Sequence, residues 1–132
     1  MNLIEHIYNE LTYQVDCPVH LNWQPPDTEM PFIVLLTDQR ETDPPFPLRA
    51  GSINFHVFDK SPNALTVYTI RDIIVRLFDQ YEFITDEISC RMWLQNENLA
   101  PDEPGIWHYI VTFTLRLYRI ADTSAILDRE LY

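Results

Sequence analysis

The side chains with metal or acid–base chemistry in this chain are its cysteines, histidines and carboxylates, and their spacing decides what they can do. Cys17 and His20 form a C-x-x-H pair. A zinc ion takes three or four such ligands, and no second pair stands at ligand spacing, so His6 or another residue would have to complete the set. The pattern therefore predicts two ordinary side chains, with no metal and no other cofactor.

His56 and His108 are a second pair of interest, because each falls on the polar phase of a predicted strand. Two histidines that face one another across a sheet can act as a pH sensor, since imidazole changes its charge near neutral pH. The alternative is that each is a solvated or hydrogen-bonded surface residue. Of the two interpretations, the sequence favours the surface residues.

The parts of a catalytic site do not assemble from this sequence. No serine lies in a G-x-S-x-G turn, and neither cysteine has the surroundings of a nucleophile. Asp86-Glu87 and Asp102-Glu103 are adjacent acids in predicted turns, where such pairs are usually solvated charge. Only two glycines are present, too few for a glycine-rich phosphate loop. We therefore expect a protein that is not an enzyme.

Length and composition predict a single domain spanning residues 1–132. The hydrophobic fraction of 46% suits a packed core and argues against disorder. The net charge is -11, and residues 1–45 contain eight acids with Arg40 as their only base. Such a field keeps a protein soluble and repels nucleic acid, although it does not prevent a protein from enclosing DNA without gripping it.

The sequence also bears on location. No apolar run approaches the length of a membrane span, and the N-terminus lacks the basic and long apolar segments of a signal peptide. We expect a cytoplasmic protein without membrane contact. Two cysteines are too few for a disulfide framework, so reduced thiols are expected.

The chain is organised around residues 48–81, which predict a strand, a turn and a helix. Apolar and polar residues alternate from Gly51 to Phe58, the period of a half-buried strand. Ser61 suits the N-cap of a helix and Pro62 its first position. Apolar residues then recur every three or four positions as far as Tyr81, which predicts a helix that lays one face on a sheet.

The flanking segments predict one more helix and four more strands. Residues 2–12 carry the apolar stripe of a helix, and strands are predicted at 19–23, 32–37, 88–95 and 107–117. Thr42 to Leu48, with three prolines, and the polar stretch Asn96 to Gly105 are predicted loops. The order α-β-β-β-α-β-β predicts an α+β fold, with one mainly antiparallel sheet, two helices packed on it and a short C-terminal segment.

Four segments carry a resemblance to a known family. They are the N-terminal helix Leu3 to Leu11, the apolar strand Pro31 to Leu36, the strand Ile53 to Asp59, and the amphipathic helix Ala64 to Phe78 with a closing hairpin after it. This layout resembles the tail terminator (tail-completion, minor tail protein) family of long-tailed phages and prophages. Chain length and element order agree over nearly the whole chain, whereas Asp43 to Leu48 and the last dozen residues do not match.

The resemblance implies a structural protein of virion assembly. It would form a homo-oligomeric ring, commonly a hexamer, that caps the tail tube and joins it to the head-side connector. The tail tube protein and the connector would be its partners, and DNA would pass without specific binding. It would occur in the host cytoplasm during assembly and then in the virion tail.

Projecting loops and the C-terminal segment are the expected contact regions of such a ring. The candidate contact residues are Pro44, Phe46, Asn98, Leu99, Ile126, Leu127 and Leu131. The proline-rich loop that holds Phe46 is semi-rigid and suits an exposed anchor. Phe46 folding back onto its own domain is the equal alternative, since single exposed apolar residues are common.

Two other functions fit the same sequence. Another head–tail joining or minor tail protein would share all these features. A small-ligand-binding or regulatory α+β domain, dimeric through a sheet edge, would need a concave apolar pocket with converging polar groups. The candidate lining of that pocket is His56, His108, Trp93 and Tyr109.

Overall fold

The computed structural model describes residues 3–21, 29–41, 48–85, 88–100 and 104–119. Within these ranges the element order is α-β-β-β-α-β-β-β, so the expected α+β class is confirmed. The elements are α1 (Leu3–Gln14), β1 (Val19–Leu21), β2 (Phe32–Glu41), β3 (Leu48–Asp59), α2 (Leu65–Phe78), β4 (Tyr81–Ile84), β5 (Ile88–Ala100) and β6 (Trp107–Arg119).

The six strands form one sheet in the order β1-β2-β3-β6-β5-β4. Neighbouring strands are antiparallel except for β1 and β2, which are parallel. The long central strands β3 and β6 pair from Leu48 opposite Tyr118 to Asp59 opposite Trp107. The sheet is therefore mainly antiparallel, as expected.

The core lies between one face of this sheet and the two helices. Alternate residues of β3 and β6 point to this face and are fully buried, as the period of a strand requires. Phe55 of β3 stacks on Phe78 of α2 with ring centres 5.4 Å apart, and meets Phe113 of β6 edge-on at 5.6 Å. Each such ring removed from water stabilises the fold by about 1.5–3 kcal/mol.

Helix α1 contacts both edge strands of the sheet. Its buried stripe of Leu3, Ile7 and Leu11 joins the core, and it lies against β1. On the other side, the His6 ring lies 4.3 Å from the ring of Phe83 on β4. Because β1 and β4 are the two outermost strands, the sheet must curl around the helices for one helix to touch both.

The predicted start of the second helix is wrong. The Ser61 hydroxyl donates to the buried carboxylate of Asp59 and does not cap the helix. Helix α2 begins at Leu65, with Ala64 as an N-cap that makes no side-chain hydrogen bond. The Asn63 side chain instead accepts a hydrogen bond from the Leu65 amide at 3.0 Å. The Ser61 hydroxyl, which the sequence pattern assigned to the helix N-cap, is therefore bound to Asp59 at the end of β3.

The extension of that helix to Tyr81, predicted from the apolar stripe, is also wrong, whereas the end at Phe78 given with the family resemblance is correct. Helix α2 ends at Phe78, and Tyr81 begins β4, a strand that the sequence analysis did not predict. The chain turns at Gln80, which has a φ of +60°, while the Asp79 carboxylate accepts a hydrogen bond from the Leu94 amide at 2.9 Å. Tyr81 packs on the core, which explains why it continued the apolar stripe.

The predicted loop from Asn96 to Gly105 is wrong in its first half. Strand β5 continues through Asn96 to Ala100, past an irregularity in register between Leu94 and Asn96. Its polar residues still pair with β6, because ladder hydrogen bonds come from the backbone and need no apolar side chain. At the other predicted loop, Leu48 begins β3 and residues 42–47 lie outside the described ranges.

Candidate functional site

His56 and His108 do meet across the sheet. They lie on neighbouring strands, on the face opposite the helices, with His56 Nδ1 2.8 Å from His108 Nε2. The His108 ring stacks on Phe58 at 4.2 Å, and Phe58 stacks on Phe32 at 4.9 Å. A small apolar cluster of Phe32, Val34 and Phe58 surrounds this end of the sheet. The two rings thus face one another, which was the less favoured of the two interpretations, in a setting more apolar than a solvated surface.

This setting favours neutral imidazole. Burial and, next, the nearby His108 lower the pKa of His56 from 6.5 to about 4. The bond between the rings needs one nitrogen to donate and the other to accept, so it cannot persist with both rings protonated. His56 can therefore respond to acid, but at a lower pH than an isolated histidine.

Cys17 and His20 do not form a metal site with other described residues. No three histidine, cysteine or acidic side chains converge anywhere in the described part of the chain. Burial, followed by the charge of Asp16, raises the pKa of the half-buried Cys17 thiol to about 11. His20 Nε2 is buried and has no hydrogen-bond partner among the described residues, and its ring lies edge-on to Phe32 at 6.3 Å.

A partly buried polar contact that the sequence analysis missed joins α2 to the sheet. Arg71 donates two hydrogen bonds to the Glu97 carboxylate, from Nε and Nη2, each at 2.6 Å. The Tyr109 hydroxyl donates to the same carboxylate at 2.5 Å. The hydrogen bonds from Arg71 are the main reason that the pKa of Glu97 lies below its usual value. Burial, then the bond to Glu97, raises the pKa of Tyr109 to about 12.

The irregularity in the register of β5 hid this contact from the sequence analysis. Alternation puts Cys90 and Met92 on the core face, and the shift in register returns Glu97 to that face opposite Val111. A stretch of asparagines and acids gave no hint that the strand continued. Glu97 was therefore assigned to a solvated loop.

A shallow groove lies where the β3–α2 turn meets the start of β6. The Trp107 indole donates to the Ser61 carbonyl at 2.9 Å, which fixes one wall. The groove measures about 320 Å³ and is lined by Lys60, Ser61, Pro62, Gly105, Ile106 and Trp107. Its one charged side chain, Lys60, is exposed, so no set of polar groups converges there as a ligand pocket requires.

The four residues proposed to line a ligand pocket do not come together. His56, His108 and Trp93 lie on the face opposite the helices, whereas Tyr109 is buried on the core face. Trp93 pairs with Thr114, six residues along β6 from His108. Those four residues therefore do not form one cavity.

Two of the seven candidate contact residues fall in the described ranges. Asn98 and Leu99 lie on β5 and not in a loop, and both are exposed, Leu99 by 40%. Strand β4 pairs only with Ser89 to Met92, so Asn98 and Leu99 lie beyond it. The remaining candidates, Pro44, Phe46, Ile126, Leu127 and Leu131, lie outside the described residues.

Neither described helix has the length and apolar character that crossing a membrane requires. No protein-family model matches the chain. No curated protein matches it. Among solved structures, it is similar to a chain in the virion of a native gene transfer agent particle, with a TM-score of 0.70. That likeness covers 84% of this chain and 90% of the other at 10% sequence identity, and it shows a shared fold.

Proposed function

We propose that this protein is a structural subunit of a virion. The observation that carries the proposal is the fold, which is similar over 84% of the chain to a protein chain of a gene transfer agent virion. The layout of helices and strands also supports the proposal. Its buried apolar residues pack the sheet against the helices, as a structural subunit requires. The role is proposed to be structural and not catalytic.

Within that class we propose the tail terminator role. The subunit would form a ring, a hexamer by family resemblance, that caps the tail tube and joins it to the head-side connector. The part of β5 that extends beyond β4 supports this role, because it offers a surface for contact between copies. Asn98 and Leu99 are exposed there. A ring of identical subunits needs such head-to-tail contacts, which close by rotation. It would assemble in the host cytoplasm and remain in the virion tail, with DNA passing through it.

The composition of purified particles tests the broader proposal. Mass spectrometry of particles from a host that carries the gene is expected to detect this chain in fixed proportion to the tail proteins. Particles of normal composition that lack the chain would refute a virion role.

Deletion of the gene tests the narrower proposal. A terminator stops tube polymerisation, so electron microscopy of the deletion strain should show tubes of uncontrolled length that are not joined to heads. Tubes of normal length without heads would instead indicate another head–tail joining role. Native mass spectrometry of the isolated protein measures the subunit number, and a stable dimer would contradict the ring.

A further inference from the structure

Strand β5 has an open edge beside helix α2. Strand β4 covers β5 only at residues 89–92, and no other described strand pairs with this side of β5 over residues 94–100. The Leu94 amide points away from β6, because it donates to the Asp79 carboxylate at the end of α2. An unpaired edge of this kind can accept a further strand through its backbone groups.

The register shows which backbone groups of this edge are open. In an antiparallel pair, the N–H and C=O of one residue point to the same side, and that side alternates along the strand. Leu94 faces away from β6, and steps of two along β6 from its partner lead to Val111 and Tyr109. The partners of these two on β5 are Glu97 and Leu99, which therefore also present an N–H and a C=O at the open edge.

An apolar surface borders the open edge on its helix side. Leu65 and Tyr68 lie one turn apart on α2 and are 69% and 43% exposed, and Leu99 of β5 is 40% exposed. The Tyr68 ring lies edge-on to the buried Tyr109 ring at 5.4 Å, and Leu99 pairs with Tyr109 in the sheet. The open edge and these exposed apolar side chains are here named the α2–β5 surface.

Next to its apolar part, this surface is acidic. The Arg71 guanidinium binds the carboxylates of both Glu97 and Asp72, so these three side chains, here named the acidic cluster, have one negative charge in excess. Glu97 and Leu99 are two positions apart on β5 and share a face. A strand that suits this surface therefore has an apolar side chain opposite Leu99 and a basic one two positions away.

Residues 120–132 are the segment of this chain that suits such a strand. They lie outside the described residues and contain neither proline nor glycine. The other undescribed segments of comparable length, residues 22–28 and 42–47, contain two and three prolines, which withhold the donors of a ladder.

Charge selects one register for this segment. An antiparallel strand with Leu127 opposite Leu99 places the next residue on that face, Arg129, against the acidic cluster. A shift by one residue would put Ile126 opposite Leu99 and bring Asp128 against the same cluster, where like charges repel. The register that starts from Leu127 therefore satisfies both the apolar and the acidic part of the surface.

Distance indicates that the segment would come from a neighbouring copy. Arg119, the last residue of β6, stands opposite Ile88 at the far end of β5 from Leu99. From Ile88 to Leu99 a strand rises about 36 Å. Leu127 is eight residues after Arg119, which is a span of about 29 Å at most. The segment would also have to pass around β4 to reach the open edge of its own copy.

We propose that residues 125–129 of one copy add to the open edge of β5 in the next copy as an antiparallel strand. Leu127 then packs on Leu99 and Tyr68, and Arg129 neutralises the acidic cluster. The donated segment and the α2–β5 surface are different parts of the chain, so the contact is head-to-tail, as a closed ring requires. The inference deepens the proposed ring and rests on it for the symmetry, because it names the contact between copies.

Two full-chain variants that can each make only half of the contact test this proposal. Leu127→Asp disables the donated strand and leaves the α2–β5 surface intact, whereas Leu99→Asp does the reverse. Isotope-labelled Leu127→Asp is titrated with unlabelled Leu99→Asp and followed by nuclear magnetic resonance. Amide shifts are expected at Tyr68, Glu97 and Leu99, and native mass spectrometry should detect a one-to-one complex in the mixture.

Leu21→Asp is the matched control, because Leu21 is 46% exposed on β1, the opposite edge strand. Combined with Leu127→Asp in the labelled protein, it should leave the shifts unchanged. Leu99→Asp in the same labelled protein should weaken the contact by at least about tenfold. Arg129→Glu in the unlabelled partner should raise Kd by about two- to tenfold, since it replaces an opposite-charge pair with a like-charge one.

The proposal is overturned if no shifts appear with partner at up to about 1 mM. It is also overturned if a partner that carries both Leu99→Asp and Leu127→Asp gives the same shifts, or if Leu21→Asp abolishes them. A Leu99 amide shift that distinguishes the monomeric wild type from Leu127→Asp at every dilution would show that the segment binds its own copy, which also overturns it. Because these tests need no particle, their failure is separate from failure of the virion proposal.

Discussion

The carboxylate of Glu97 receives two hydrogen bonds from Arg71 and one from Tyr109. The side chains of Arg71 and Glu97 are 28% and 23% exposed, so solvent screens this contact less than a surface ion pair. We expect Glu97→Gln to lower the free energy of unfolding by about 1–3 kcal/mol, since hydrogen bonds to charged groups are stronger than neutral ones. Urea unfolding at neutral pH measures it.

Asp72→Asn is the matched control for this prediction. Asp72 also accepts a bond from Arg71, but its side chain is 70% exposed, so its loss should cost at most about 0.5 kcal/mol. Equal costs for the two variants would contradict the assigned role of Glu97. Because the folded-state pKa of Glu97 is lowered, its contribution is present at neutral pH. It should disappear as the pH falls through that lowered value.

Because of the His56–His108 pair, we expect the free energy of unfolding to fall in mild acid. The pKa of His56 is about 4 in the folded protein, against an ordinary value of 6.5. Between these values the unfolded chain binds a proton that the folded chain does not, so stability is complete above pH 6.5 and falls as the pH drops toward 4. Allowing for screening at a half-buried site, we expect a loss on the order of 1–2 kcal/mol.

Urea unfolding at a series of pH values checks this. His56→Gln removes the titrating group and should flatten the curve above pH 4. Asn98→Ala is the control, because Asn98 lies in the same row of the sheet beside Ile110 and carries no titrating group. A wild-type slope that survives in His56→Gln would show that other groups cause the acid loss.

Of these residue contacts, the histidine pair could be predicted and the Arg71–Glu97 pair could not. His56 and His108 each lie within an unbroken alternation, so strand phase alone placed both on one face. Arg71 and Glu97 are 26 positions apart, and the register shift in β5 hides which face Glu97 takes. Long-range polar contacts depend on register, which one sequence does not reveal when an irregularity intervenes.

Among the elements, the turn between α2 and β4 stores backbone strain at Gln80. A φ of +60° costs a residue with a side chain about 1–2 kcal/mol, and glycine adopts it freely. After glycine's extra entropy in the unfolded chain, we expect Gln80→Gly to raise the free energy of unfolding by about 0.5–1 kcal/mol. Thermal unfolding should show a higher Tm.

Gln14→Gly provides the comparison for that turn. Gln14 is the last residue of α1 and is exposed, and its φ is not positive, so glycine there should lower stability by up to about 1 kcal/mol. Opposite signs for the two glutamine-to-glycine changes are the expected result. A loss at Gln80 as large as that at Gln14 would mean that the Gln80 backbone is not strained.

Most elements could be predicted because their apolar period matches their structure, but their ends could not. The stripe of α2 and the alternation of β3 and β6 agree with the buried residues. Strand β4 was missed because Tyr81 continues the helical stripe, although its backbone has already turned at Gln80. The apolar period reports which side chains are buried and does not report how the backbone carries them there.

For the whole molecule, the fold class could be predicted from the order of the elements, whereas the proposed function rests on likeness to other proteins. The chain has no motif whose residues name a reaction or a ligand, so the sequence indicated a virion protein only through the layout that resembles a family. The placement of Arg91 opposite Arg116 was not foreseen. Arg91 and Arg116 are 25 positions apart, and only the pairing of β5 with β6 brings them opposite one another.

The curled sheet should also unfold as one unit, and Cys90 reports on this. Cys90 lies on β5 between Phe83 of β4 and Leu117 of β6, and is 2% exposed. Burial raises the pKa of its thiol to about 12, so thiol reagents can reach a reactive thiolate only when the structure opens. In Cys17→Ser, which retains Cys90 alone, labelling should accelerate with urea along the same slope as global unfolding.

The reciprocal variant Cys90→Ser leaves Cys17, which is half-buried with a thiol pKa of about 11. Its labelling should be faster and depend less on urea, because a small local opening exposes it. Cys90 labelling that is insensitive to urea would show that β4, with four residues paired to β5, separates without the rest of the sheet. The contact of His6 with Phe83 would then be too weak to join the sheet edge to α1, and the domain would unfold in at least two steps.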